Sequence, residues 1–364
     1  MTDHRMMRGF AGHTHGFQDT SSVIELDGVL VVVSVDVDGI LWTCDLRSGK
    51  CAQRPLELDA ARPEDDWYRE VGLLEDDEEK ENEDWRQVRE TNAGQTVSLL
   101  TAAYLDGRPV IVTGGGRFDL SHFDEESMGG AVRVWDLRTG RKIGKTLTGH
   151  GLGVGSLTTV AYERGLLGVS SCEEGKLLAW DLTTGECFAE IEGSYNGGMG
   201  AARIGGRPLA ATGGHDSFVE VWDILGEERL GEPLTGIEPV VRALAITEMD
   251  GRTVVVAGGD DRNALQVWDL ARQEPVGSPM TGHTDSIQTL GTATVAGRAI
   301  AVTGSNDGTT RVWDLARGEQ LGEPFTGHHL QMVTEIAGRP VAVTNSGDGI
   351  RVWDLTLAAP APRD

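Results

Sequence analysis

Aromatic residues make up only 5% of this 364-residue chain, and cysteine occurs just four times. So few cysteines in so long a chain exclude a disulfide framework and make a reducing compartment the default, with the cytoplasm as the expected location. No apolar run exceeds the stretch Val29 to Val33, whereas a membrane span needs roughly 18 or more residues. The first residues, MTDHRMMRGFAGHTHGF, lack the apolar core of a secretory signal. Basic side chains are scarce as well: 32 Lys and Arg face 57 Asp and Glu, a formal charge of -25. Phosphate recognition needs basic patches, so DNA or RNA is not expected as the main partner. Among the basic residues Arg outnumbers Lys 27 to 5, a bias that fits a GC-rich bacterial genome.

What the chain has in quantity is glycine, 50 residues, and an internal repeat. Trp135-Asp136-Leu137, Trp180-Asp181-Leu182, Trp222-Asp223-Ile224, Trp268-Asp269-Leu270, Trp313-Asp314-Leu315 and Trp353-Asp354-Leu355 recur in frame, with Cys44-Asp45-Leu46 as a degenerate seventh copy. Successive aspartates are 91, 45, 42, 46, 45 and 40 residues apart. Alternating residues bounded by Gly, Asp and Asn precede each copy, the pattern of strands joined by hairpins. Upstream runs such as GRPVAVT (338–344), GRAIAVT (297–303) and GRPLAAT (206–212) add a further strand. Gly12-His13, Gly149-His150, Gly282-His283 and Gly327-His328 open four of the units.

A Gly-His start, four short strands and a Trp-Asp end at this period resemble the WD40 repeat family. The resemblance covers nearly the whole chain and implies an all-β fold: one seven-bladed β-propeller domain over 1–364, each blade a four-stranded antiparallel sheet. The residues after Asp354, TLAAPAPRD in their main part, are too short and proline-rich for an outermost strand, whereas RMMRGFAGH (5–13) parallels LGEPFTGH (321–328). Residues 5–10 are therefore expected to supply the fourth strand of blade 7 and so clasp the ring.

The resemblance also implies a buried His, Ser/Thr, Asp and Trp tetrad in each blade. Blade 6 carries His283, Thr303, Asp307 and Trp313; blade 7 carries His328, Thr344, Asp348 and Trp353. Other blades depart: Glu174 stands at the Asp position of blade 3, Ser194 at the His position of blade 4, and Ile237 and Ala257 at two polar positions of blade 5. Blade 1 has Cys44 for Trp, and weaker rigidity is expected in blades 2, 4 and 5. A Thr/His/Asp set invites a catalytic reading, but burial within a repeat favours a structural one. His13 and His15 lack further ligands at metal spacing, so no metal is expected. Gly114-Gly115-Gly116 lacks the Lys-Ser/Thr and helix of a phosphate loop. Cys44 and Cys51 could meet across a hairpin, although two free thiols are the expectation.

The 91-residue interval resolves into two insertions, roughly 58–91 between blades 1 and 2 and roughly 117–129 within blade 2. Both fall in connections that emerge on the same rim of a propeller. Residues 58–90 hold 14 acidic and 5 basic side chains, more than a third of the net charge. Trp67, Tyr68 and Trp85 lie amid this charge, and Phe118, His122 and Phe123 lie in the second insertion. Two short amphipathic helices fit the first insertion. Aromatic anchors in a charged setting are frequent interface hot spots.

The function expected is thus a non-catalytic scaffold or adaptor, monomeric, with no cofactor and no membrane or nucleic-acid partner. It is expected to bind a basic protein through the top face, where exposed turns add Tyr195, His215, Arg262 and Asn306. An enzyme or small-molecule sensor using a top-face pocket, with carboxylates and His122 as acid–base groups, is the alternative.

Overall fold

The structure is a computed structural model that describes residues 6–10, 21–35, 39–46, 48–56, 97, 99–115, 129–172, 174–193, 197–215, 217–236, 240–260, 262–326, 329–336, 339–346 and 349–358. Seven antiparallel sheets follow one another along the chain. Blade 1 comprises Ser21–Leu26, Val29–Val35, Ile40–Asp45 and Cys51–Pro55, and blade 2 Leu99–Leu105, Arg108–Gly115, Gly130–Asp136 and Lys142–His150. Blade 3 comprises Val154–Tyr162, Gly165–Cys172, Lys176–Asp181 and Cys187–Glu192. In blades 4 and 6 the outer edge is split into two short pieces, Glu228–Arg229 with Leu234–Thr235 and Glu319–Gln320 with Phe325–Thr326. Blade 5 ends in the equally short Glu274–Pro275, with an isolated bridge from Leu265 to Met280. Blade 7 contains His329–Ile336, Arg339–Ser346 and Gly349–Asp354, and Met6–Phe10 pairs antiparallel with the last of these. The fold is an all-β, seven-bladed propeller of mainly four-stranded blades.

Burial explains why the strands read as they do. Second strands such as Arg298–Ser305 are buried at nearly every position, because neighbouring blades cover both faces of the sheet. Outer strands such as Cys187–Glu192 alternate between exposed and buried residues, the signature of a half-solvated edge. First and second strands turn through two-residue hairpins, as at Asp106-Gly107 and Asp250-Gly251, where both residues take positive φ. That is the backbone that a right-twisted hairpin favours, and Asp-Gly supplies it at low cost.

The core is not one mass but seven seams, each between consecutive blades. Blades 1 and 2 meet through Val33, Leu41, Ile111 and Trp135, and blades 5 and 6 through Val256, Ile287, Ala301 and Trp313. The ring returns on itself: Val23, Val32 and Leu46 of blade 1 pack with Val341, Val343 and Val352 of blade 7. Ser21 also donates to the Gln331 side chain across this seam at 3.0 Å. Each fully buried aliphatic side chain contributes roughly 1.5–3 kcal/mol, so the seams dominate the stability.

The repeated Asp has a local role. Asp136 accepts the backbone N–H of Arg138 and Thr139, Asp269 those of Ala271 and Arg272, and Asp314 those of Ala316 and Arg317. Each carboxylate thereby closes the turn into the outer strand. An arginine at the start of the second strand faces it: Arg252–Asp269 at 3.5 Å, Arg339–Asp354 at 3.6 Å, Arg108–Asp136 at 3.8 Å and Arg298–Asp314 at 3.9 Å. In blade 3 the Tyr162 hydroxyl donates to Asp181 in place of an arginine. The arginines are half exposed and the separations long, so these pairs contribute about 0–1 kcal/mol each and the turn bonds matter more.

Blade 1 corrects one expectation. Cys44 and Cys51 are not free thiols but a disulfide, while Cys172 and Cys187 are free. The physical reason is register: Cys44 and Cys51 lie directly opposite on adjacent strands, and opposed residues project to the same face of the sheet.

Candidate functional site

The polar residues that look most like chemistry sit inside the seams. In blade 6, the Trp313 indole N–H donates to Thr303 Oγ1 at 2.8 Å, and Thr303 Oγ1 lies 2.8 Å from His283 Nε2. His283 Nδ1 lies 2.8 Å from Asp307 Oδ2, and Thr309 donates to the other carboxylate oxygen at 2.6 Å. Burial alone would raise the Asp307 pKa. Hydrogen bonds from the Thr309 hydroxyl, the Thr284 N–H and His283 outweigh that and bring it to about 2. A carboxylate on Nδ1 places the imidazole proton there, so Nε2 accepts from Thr303 and the donors run one way, Trp313 to Thr303 to His283 to Asp307. Burial pushes the His283 pKa down despite Asp307 beside it. Thr303 is 0% exposed, so its hydroxyl has no path to a substrate. The tetrad spans the connection between blades 5 and 6 and ties them together.

Blade 3 repeats half of this. Ser170 Oγ accepts from Trp180 at 3.0 Å and lies 2.8 Å from His150 Nε2. The longer Glu174 side chain passes over Gly151, where a Cβ would meet Oε1 at 2.5 Å. His150 Nδ1 is left buried without a hydrogen-bond partner among the described residues. Burial, aided by the Lys176 ammonium, holds the His150 pKa down at about 4. Blades 2 and 7 keep the Trp–Thr bond, Trp135 to Thr113 at 2.9 Å and Trp353 to Thr344 at 2.7 Å. In blade 4, both Thr212 Oγ1 and Trp222 Nε1 are buried without a partner among the described residues. His328, Asp348, Ser194 and Asp216 lie outside the described residues.

Blade 4 has a different device that the sequence did not announce. A Cβ on Gly198 would meet Arg242 O at 2.5 Å, and one on Gly200 would meet Leu244 O at 2.6 Å. Its innermost strand, Met199–Ile204, therefore lies against the backbone of Val241–Met249 in blade 5, an approach only glycine permits.

Of the residues assigned to a binding face, His215, Arg262 and Asn306 are exposed in the turns between second and third strands: Arg207–Gly213 and Phe218–Asp223 in blade 4, Arg252–Gly259 and Leu265–Asp269 in blade 5, and Arg298–Ser305 and Thr309–Asp314 in blade 6. These turns share one end of the sheets. Nearby, Arg242 binds both oxygens of Asp260 at 2.7 Å, and the Ser305 hydroxyl donates to Asp285 O at 2.8 Å. Trp67, Tyr68, Trp85, Phe118, His122, Phe123 and Tyr195 lie outside the described residues. The strands that flank both insertions are described. Cys51–Pro55 leads into the first and Leu99–Leu105 follows it; Arg108–Gly115 leads into the second and Gly130–Asp136 follows it. Among the described residues, no group of three or more His, Cys, Asp or Glu is placed to hold a metal ion. No helix there is long and apolar enough to cross a membrane.

Comparison with known proteins agrees with this architecture. Residues 273–314, the blade 6 unit, match the family described as WD40: WD domain, G-beta repeat. A search of curated protein sequences returns no match. Among solved structures, the computationally designed Ika8 protein superposes with a TM-score of 0.58 at 20% identity, covering 96% of this chain and 99% of that one. At that identity the likeness speaks to fold alone. The chain carries a WD40 repeat within a seven-bladed β-propeller, a class commonly used as a protein-interaction scaffold.

Proposed function

We propose that the protein is a non-catalytic scaffold that binds a basic protein partner through the rim bearing its two insertions. The observation that carries this reading is the concentration of charge: residues 58–90 combine 14 acidic with 5 basic side chains and include Trp67, Tyr68 and Trp85. An acidic rim speeds encounter with a basic partner and rejects acidic ones, while aromatic anchors slow dissociation. Burial of the Thr303, His283 and Asp307 set in its seam supports the absence of catalysis from these residues. The reading includes a single monomeric domain in a bacterial cytoplasm.

The test is affinity capture with full-length bait against bait lacking residues 59–90, repeated at rising salt. Partners that depend on the deleted segment and dissociate as salt rises support the proposal. Partners retained equally by both baits would move the interface to another face and overturn it. We further propose that the pairing of Met6–Phe10 with Gly349–Asp354 is the clasp that holds the ring shut. Deleting residues 1–10 then lowers the melting temperature sharply, and a truncation that melts like the full chain refutes the clasp.

A further inference from the structure

We propose that Cys44 and Cys51 form a redox latch on the outer strand of blade 1. In blades 2, 3, 6 and 7 the repeat Trp ties the third strand inward to a hydroxyl on the second. Cys44 takes that Trp position in blade 1 and ties the third strand outward instead, to Cys51 on the fourth. The outer strand gives the bond something to hold. Cys51, Ala52, Gln53 and Pro55 are exposed and none of the five residues Cys51–Pro55 is buried. By contrast, the outer strand of blade 3 inserts Ala189 and Ile191 into the core, and that of blade 2 inserts Leu147. At its far end the blade 1 strand is held by Leu56, buried in the seam with blade 2. At its near end the disulfide ties it to the third strand, with the Thr43 hydroxyl to Ala52 O at 3.4 Å as a weak supplement.

The two sulfurs are unequal in access. Cys51 is exposed and Cys44 is buried, so an external thiolate reaches Cys51 first. Opening is thiol–disulfide exchange with a dithiol reductant. Its thiolate attacks Cys51 Sγ, the Sγ–Sγ bond breaks, and Cys44 leaves as a thiolate that takes up a proton. The second thiol of the reductant then attacks the mixed disulfide, releases Cys51 as a thiol and leaves the reductant as a disulfide. Two electrons and two protons pass to the protein; closure is the reverse, with a disulfide of the same class as oxidant. A disulfide in a chain otherwise poor in cysteine, within a reducing compartment, is of the kind used transiently and reversibly. The latched strand runs on directly into residues 58–91, so the switch sits at the root of the acidic insertion.

The experiment is hydrogen exchange by mass spectrometry on the full chain, oxidised and after dithiothreitol, in a Cys172→Ala/Cys187→Ala background that removes the other thiols. Two thiols should appear and disappear reversibly under native conditions. Exchange at the Ala52 and Arg54 amides, which face the third strand, should rise at least tenfold on reduction while blades 3 to 6 stay unchanged. Cys51→Ser should show the fast pattern in both conditions. A pair that opens only with global unfolding, or equal exchange in both states, overturns the latch. No partner is present in this measurement, so its failure leaves the scaffold reading untouched.

Discussion

Replacing the tetrad hydroxyl by Val gives opposite outcomes in two blades, although position and substitution are the same. In blade 6, Thr303→Val removes the acceptor of the Trp313 N–H and the donor to His283 Nε2, both at 2.8 Å. Thr303 is 0% exposed and Trp313 2%, so neither orphaned group recovers a water. A buried polar group left unpaired costs roughly 1–3 kcal/mol, and two of them put the loss at about 4 kcal/mol. In blade 4, Thr212 Oγ1 has no partner among the described residues, so Thr212→Val removes a hydroxyl already desolvated without compensation. Its effect should lie within about 1 kcal/mol of zero, on the stabilising side. Unfolding entropy of about 2.1 cal/mol/K per residue gives roughly 0.8 kcal/mol per degree for a chain of this length. Thr303→Val should therefore melt about 5 °C below the parent in calorimetry, and Thr212→Val at or slightly above it. Equal losses at both positions would refute the hydrogen-bond reasoning and reduce both threonines to shape alone.

Glu174→Asp should shorten the side chain enough to reach His150 Nδ1, as Asp307 reaches His283. Stability should rise by about 1 kcal/mol and the His150 titration should move up from about 4, read by NMR. The same histidine makes the parent acid-sensitive. Its folded pKa of about 4 lies below the ordinary 6.5, so the unfolded chain binds more protons between those values. Its stabilising contribution is whole above pH 6.5 and is lost as pH falls towards 4, by roughly 3 kcal/mol. Urea midpoints measured from pH 7 to pH 4 should fall accordingly, and a His150→Asn variant with the same slope would contradict this. Gly200→Ala should weaken the seam between blades 4 and 5, because the new methyl meets a backbone oxygen that cannot swing aside. Faster amide exchange in Met199–Ile204 and Val241–Met249, but not in blade 1, is the expected signature.

The recurring Trp-Asp, with Cys44-Asp45 in the same frame, placed all seven blades in the sequence because both positions are fixed by strictly local geometry: the Trp by its place in the strand, the Asp by the turn it closes. The arginines at 108, 252, 298 and 339 stood in the same frame, and their pairing with those aspartates could have been read from the repeat. The disulfide was harder. Alternation shows that Cys44 and Cys51 face the same way, but whether their sulfurs bond depends on register and redox state, which residue order alone leaves open. Nor was the role of Gly198 and Gly200 visible: glycine in a strand marks a close approach, yet what approaches is set by a blade some 40 residues further on. The split outer edges of blades 4 and 6 were not visible either, since Gly231 and Gly322 each take a positive φ that interrupts an otherwise strand-like run.

The seam between blades 7 and 1 is an apolar contact between neighbouring blades like the other six, with Cys44 where those hold a Trp. A circle built this way has no first or last member as far as its packing is concerned. A permutant opened between the third and fourth strands of blade 3, so that its ends pair as Met6–Phe10 and Gly349–Asp354 do here, should trace the same ring. The asymmetries that distinguish one blade from another, a disulfide here and a glycine-lined contact there, are what give the circle a starting point and an orientation.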